Sequence, residues 1–144
     1  MATDRKAEVT WHGDLMSGSG RIDSVTSGAF GGLDVSWPAR TEEPGGKTSP
    51  EELIAAAHAS CFSMAFSHSL AQEGHAPEEL KTSATVTFQP GEGITKIALD
   101  VVGRVPGIDA DAFKQAAEGA RENCPVSKAL ASVPEISLSA RLES

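Results

Sequence analysis

Apolar and polar positions change period several times along the chain, and the changes mark out its elements. Residues 7–12 and 21–26 alternate loosely, with β-branched or aromatic side chains every second position, as in strands with one covered face. Met16-Ser17-Gly18-Ser19-Gly20 lies between them and reads as a turn, and a third short alternation spans residues 32–37. Three strands so closely spaced predict an antiparallel meander. Residues 80–89 and 94–105 alternate again on either side of Pro90-Gly91-Glu92-Gly93, which predicts a hairpin, and residues 136–142 give a final strand.

The helical signals lie between these strands. Ser49 is suited to cap a helix, with Pro50 in its first turn and Glu52 placed to complete a capping box. Gly74 is a natural stop, with Pro77 just beyond. The span between predicts one helix of roughly 24 residues, about 36 Å long. Residues 54–66 within it carry no formal charge and are mostly small, which predicts a helix buried on all sides. Asp109 caps a second helix over residues 110–122, with Phe113, Ala116, Ala117 and Ala120 apolar. Asn123-Cys124-Pro125-Val126 starts a third. The order βββ-α-ββ-αα-β predicts an α+β fold, with antiparallel strands over the central helix and residues 38–48 as a loop leading into it.

Length and charge narrow the function. A chain of 144 residues predicts a single domain, residues 1–144, with a real core. A formal charge of −8 argues against nucleic acid or an anionic membrane as partner. The histidines and serines of the central helix argue against a membrane span. The first eight residues are polar and show no apolar leader, so the expected setting is the cytoplasm, where thiols stay reduced. The sequence shows no CxxC, no zinc-spaced His/Cys cluster and no phosphate-binding glycine loop, so no cofactor and no metal is expected.

Two cysteines remain. Cys124 stands at a helix start, where a thiol ionises more easily. Cys61 lies mid-helix and would need a nearby cation, for which Arg40 and Arg21 are the candidates. Two thiols in different settings fit a division of labour. One attacks an oxidant and becomes a sulfenic acid; the other condenses with it to a disulfide. Each feature also has a plainer explanation. Cys61 serves as a small hydrophobe, Cys124 as an inert cap and Arg40 as a solvated charge. Glu51 and Glu52 complement the helix dipole, and His58 and His68 are packed or hydrogen-bonded side chains, not ligands. The patterns alone stop at an α+β domain with a candidate two-cysteine redox site.

Two long motifs extend this. Ser49-Pro50-Glu51-Glu52-Leu53-Ile54-Ala55-Ala56-Ala57-His58-Ala59-Ser60-Cys61-Phe62-Ser63-Met64-Ala65 and Asn123-Cys124-Pro125-Val126-Ser127-Lys128-Ala129-Leu130 resemble the signatures of the OsmC branch of the OsmC/Ohr family. These are the osmotically induced and organic hydroperoxide resistance proteins. Gly13-Asp14-Leu15 and Ser17-Gly18 fit the same pattern. The resemblance implies an intertwined homodimer with two interfacial sites and a thiol peroxidase without metal, haem or flavin. It implies Cys61 as the peroxidatic thiol, Cys124 as the resolving thiol, Glu51 as the catalytic glutamate and Arg40 as its arginine. In the Ohr branch the arginine stands near the position of Arg21, so both arginines stay open. The loop Pro44-Gly45-Gly46-Lys47-Thr48-Ser49-Pro50 replaces the commoner Gly-Thr-Asn-Pro, which leaves the cap intact because Ser caps as well as Asn. The implied partners are an organic hydroperoxide and a dithiol reductant, with a lipoyl-type dithiol as a candidate. Phe62, Met64 and Phe66 near Cys61 suit an alkyl peroxide better than hydrogen peroxide, with plain core as the equal alternative for Phe66. The rival is a non-catalytic dimeric small-molecule binder with inert cysteines.

Overall fold

The computed structural model describes residues 1–143. Its elements are β1 (Ala7–His12), β2 (Ser19–Val25), β3 (Leu33–Val35), α1 (Trp37–Thr41), α2 (Pro50–Gln72), β4 (Glu79–Gln89), β5 (Gly93–Arg104), α3 (Ala110–Asn123), α4 (Pro125–Ala129) and β6 (Glu135–Glu143). They fall into two compact units, one from Met1 to Leu53 and one from Ile54 on, and the division lies within α2, after its first turn.

In the N-terminal unit the expected meander is present, in the order β1-β2-β3 and antiparallel throughout. Trp11 faces Gly20 and Ile22 faces Leu33 in its ladders. Gly20 and Ile22 are buried on β2, while every residue of β1 is exposed. Residues 38–48 are not all loop. Ser36 accepts the Ala39 N–H at 3.2 Å, Pro38 stands in the first turn, and the chain makes the short helix α1. The signal is the Ser-and-Pro start that also opens α2, written here as Ser36-Trp37-Pro38. The N–H of Thr48 then returns to Asp34 O at 3.1 Å, tying the following loop to β3.

Helix α2 begins as expected, with the Glu52 N–H donating to Ser49 Oγ at 3.2 Å. The Glu52 carboxylate turns to Thr48 Oγ1 at 2.9 Å, so the cap is shared among three side chains. The helix stops at Gly74, whose φ of +87° suits a residue without Cβ, and the His75 N–H closes back onto Leu70 O at 2.8 Å. Burial on all sides is not what the chain shows. His58, Phe62, Phe66 and Leu70 form one buried edge at four-residue spacing, and Ala56, Ala57, Ser60 and Met64 form an open one. Small apolar residues on both edges hide this asymmetry from the pattern. Only the bulky side chains mark the packed edge.

In the C-terminal unit β4 and β5 form the expected antiparallel hairpin, but β6 joins β5 in parallel, with Leu99 opposite Leu138. The antiparallel expectation fails for β6 because α3 and α4 intervene. A parallel neighbour needs such a crossover. Phe62, Phe66 and Leu70 of α2 share one core with Leu99 and Val101 of β5 and Phe113, Ala117 and Ala120 of α3. Ring centroids of Phe66 and Phe113 lie 5.0 Å apart. Gly103 makes room for this: a Cβ there would stand 2.6 Å from the Phe113 ring. Asp109 caps α3, its Oδ1 accepting the Ala112 N–H at 2.8 Å.

Candidate functional site

Cys124 is pinned between two helices. Its N–H donates to Ala120 O at 2.9 Å as α3 ends, and its carbonyl accepts from the Lys128 N–H at 3.1 Å as α4 begins. The backbone at Cys124 is extended, and Pro125 stands at the start of α4, where an N–H would have no helical partner. The side chain is fully buried at the end of the phenylalanine core. Cys61 is half-buried on α2 and packs against that core. Both cysteines are free thiols, and each bears on the acidity of the other.

The two acidities are coupled and move in opposite directions. Burial acts first on Cys61 and pushes its thiol up; the neighbouring Cys124 pushes the same way, against the Val126 N–H. Burial raises Cys124 too. It is outweighed by the Cys61 thiol, the Ser127 N–H and hydroxyl, and the Val126 N–H, which together hold Cys124 below its ordinary value. Easier ionisation at Cys124 is what a helix start predicts.

The Ser127 side chain pairs with the central helix. His58 Nε2 lies 2.7 Å from Ser127 Oγ, and both residues are buried. Burial pulls the His58 pKa down, so the ring is neutral. Its Nδ1 has no hydrogen-bond partner among the described residues. The sequence reading of His58 as packed or hydrogen-bonded describes this correctly. It did not bring Ser127 into the site, although Ser127 lies three positions after Cys124 in the second motif, where the amides of one helical turn converge.

The structure also joins Arg40 to Glu51. Arg40 Nε donates to Oε1 at 2.9 Å and to Oε2 at 3.2 Å, and Nη2 donates to Oε2 at 2.7 Å, a forked pairing of guanidinium and carboxylate. Glu51, in the first turn of α2, is only 7% exposed. Trp37 stacks against the same guanidinium, 5.8 Å from ring centroid to Cζ. Arg40 therefore sits on α1 and not in a loop. Arg21 stands elsewhere on the sheet. It is exposed on β2 and lines a cavity of about 430 Å³ with His12, Asp23, Asp34 and Lys47.

One sequence reading needs correction. Phe62 and Phe66 are fully buried in the core, so of the three apolar residues expected beside Cys61 only Met64, at 72% exposure, is open to a ligand. Among the described residues, no group of three or more His, Cys, Asp or Glu side chains is arranged to hold a metal ion. No described helix is long and apolar enough to cross a membrane.

Fold and site together define an α+β protein with two free cysteines at one core, one on a long helix and one between two shorter helices. The model of the family described as OsmC-like protein matches residues 43–139. Peroxiredoxin OsmC of Escherichia coli (strain K12) is 41% identical over 147 aligned positions, covering 100% of both chains. The chain belongs to the OsmC family. Among solved structures, an organic hydroperoxide resistance protein OsmC from Legionella pneumophila superposes with a TM-score of 0.66 at 23% identity, covering 96% of this chain and 97% of that one. OhrB of Bacillus subtilis superposes with a TM-score of 0.63 at 24% identity, covering 96% and 98%. At these identities the two structures speak for the fold.

Proposed function

We propose that this chain is a cysteine-based thiol peroxidase that reduces organic hydroperoxides, and hydrogen peroxide less well. The observation that carries the reading is the pair of free cysteines, Cys124 buried in the core and Cys61 packed against that same core. The name Peroxiredoxin OsmC, borne by a relative 41% identical over its whole length, supports it.

In this reading Cys61 reacts as the thiolate. It attacks the distal peroxide oxygen, the O–O bond breaks, and the alkoxide takes a proton and leaves as an alcohol. Cys61 is then a sulfenic acid. The Cys124 thiolate attacks its sulfur, hydroxide leaves and is protonated to water, and the Cys61–Cys124 disulfide forms. A dithiol reopens it by two exchanges, so the two electrons that reduced the peroxide come from that dithiol. A lipoyl-type dithiol has the required chemistry, and the cytoplasm is the setting that keeps both thiols ready.

Arg40 supplies the positive charge that favours a Cys61 thiolate over the thiol, and it orients the peroxide. Glu51 fixes the guanidinium plane. Glu51 and Cys61 are ten positions apart on one helix, about 15 Å along its axis at 1.5 Å per residue. We therefore place the Arg40–Glu51 pair of one subunit over Cys61 of a second copy, in a homodimer. On the open edge of α2, Ala56, Ala57 and Ser60 are small enough for a partner helix to approach closely, and Met64 offers an exposed apolar side chain.

The test is dithiol-dependent turnover of an organic hydroperoxide beside hydrogen peroxide. Activity should fall to background in Cys61→Ser, and Cys124→Ser should react once but not recycle. Absence of turnover in the wild type would leave a non-catalytic binder. Mixing Glu51→Ala with Cys61→Ser and allowing subunits to exchange should restore one working site per mixed dimer; no recovery would place Glu51 over its own subunit's cysteine.

A further inference from the structure

We propose that Trp37 is a positioning residue for the reaction: its indole ring lies against the Arg40 guanidinium and fixes the tilt at which that cation meets the peroxide. The catalytic meaning of this contact rests on the thiol-peroxidase reading, but the contact itself belongs to the Met1–Leu53 unit alone.

The Arg40–Glu51 fork is an edge contact. Nε donates to Oε1 at 2.9 Å and Nη2 to Oε2 at 2.7 Å, so both bonds run along one edge of the guanidinium. Two parallel bonds set the distance and the direction of that edge. They also leave a hinge. The guanidinium plane can turn about the line through Nε and Nη2 while both bonds only bend, and hydrogen bonds tolerate moderate bending before they fail. An arginine held by its carboxylate alone has a fixed place and a loose tilt.

Trp37 closes the hinge. Cζ of Arg40 stands over the indole, 5.8 Å from the ring centroid. The ring face is the negative part of the aromatic quadrupole, so it attracts the cation as well as blocking its swing. Helix α1 keeps the two side chains in register. Trp37 and Arg40 are three positions apart, which puts them side by side on one turn. That turn is fixed at both ends: the Arg40 N–H donates to Ser36 O at 3.2 Å, and the Thr41 hydroxyl donates to Trp37 O at 3.0 Å. Core packing does not explain an indole here. Ile22 and Ala39 are the covered apolar side chains of this unit, and Trp37 is only half-buried.

The two contacts divide the task. A charge-assisted hydrogen bond is stronger than a cation over a ring that is partly in water, so Glu51 holds the guanidinium and Trp37 aims it. Water reaches the pair, since the Arg40 side chain is 27% exposed and that of Glu51 9%. Aim matters because negative charge develops on the leaving oxygen as the O–O bond breaks. A donor stabilises that charge only from a preset direction. A guanidinium that rocks on its edge spends part of its time pointing elsewhere. In the proposed dimer the same cation serves Cys61 of the second copy, so a loose tilt is felt at the thiolate and at the peroxide.

The experiment uses a Trp11→Phe background, in which position 37 carries the one indole of the chain. Tryptophan is replaced there by analogues of rising fluorine content, which drain charge from the ring face and nearly keep its shape. Two quantities are read within that background: the Arg40 Nε–H resonance in a proton–nitrogen spectrum, and kcat/KM for an organic hydroperoxide beside hydrogen peroxide. The resonance should move stepwise toward its position in Trp37→Leu. Along the same series kcat/KM should fall, by about fivefold at the end, for both peroxides alike, the worth of one partly exposed cation–π contact. Trp37→Phe, which restores a ring face, should recover most of what Trp37→Leu loses. Rates and resonance unchanged across the fluorinated series would overturn the proposal. So would a loss confined to the organic hydroperoxide, which would make Trp37 a surface for the alkyl group. The fluorinated series and Trp37→Phe settle the point even if Trp37→Leu does not fold. A moving Arg40 resonance without peroxide turnover in the wild type would uphold the aiming of Arg40 and remove only the peroxidase reading.

Discussion

From Met1 to Leu53 the fully covered apolar side chains are Ile22 and Ala39, and Val9, Trp11, Leu15, Met16 and Phe30 stand exposed. From Ile54 on, three phenylalanines, Leu70, Leu99 and Val101 close around one another and around Cys124. The two units thus hold their chemistry by different means. The thiols are fixed by packing, which tolerates little change in volume. The Arg40–Glu51 pair is fixed by charge and by the caps of two helices, in a unit with little core of its own. Substitutions in the two units should therefore report different physics.

The largest contrast is in stability. Phe113→Ala removes a ring packed against Phe66 and Gly103 and should cost about 3–5 kcal/mol in denaturant unfolding. Val9→Thr, on the exposed β1, should stay within about 0.5 kcal/mol. Equal losses would erase the difference between the units.

Glu51→Ala comes next. It leaves the Arg40 guanidinium without its forked partner, and because Arg40 is partly exposed the expected loss is about 2 kcal/mol. A loss near zero would mean that solvent replaces the carboxylate and that this unit is held in some other way.

The smallest effect is pH-dependent. His58 has its pKa depressed by burial in the folded state. Its contribution is therefore complete above the unfolded value, near 6.5, and is lost as pH falls toward the folded one, because unfolding lets the ring take up a proton. Chemical denaturation should show stability declining below about pH 6.5 in the wild type, and His58→Gln should flatten that decline. An equally steep decline in the variant would assign it to carboxylates instead.

Much of the fold was legible because its signals are local. Ser49-Pro50, Gly74 and Asp109 mark helix ends through their own backbone chemistry, and the strands show in period two. The short α1 is masked in the sequence: Ser36 and Pro38 carry the same kind of signal, but the prolines and glycines further on point to a loop. The parallel pairing of β6 was hidden, since alternation states a strand's faces and not its direction. In the site, Cys61, Cys124 and Glu51 stand in two motifs, and Arg40 follows from the family those motifs resemble. The forked Arg40–Glu51 geometry and the His58–Ser127 contact join positions 11 and 69 residues apart, and no local period reports such contacts.

The central claim assigns the first oxidation to Cys61, although Cys124 is the thiol that ionises more readily in the chain described here. The direct measurement is a single turnover with less than one equivalent of an organic hydroperoxide, quenched with a sulfenic-acid-selective reagent and mapped by peptide mass. Cys124→Ser is run beside the wild type, to hold the intermediate. The account predicts label on Cys61 in both proteins, brief in the wild type and persistent in the variant. Label on Cys124 in the wild type, with none on Cys61 in Cys124→Ser, would contradict it and reverse the roles of the two thiols.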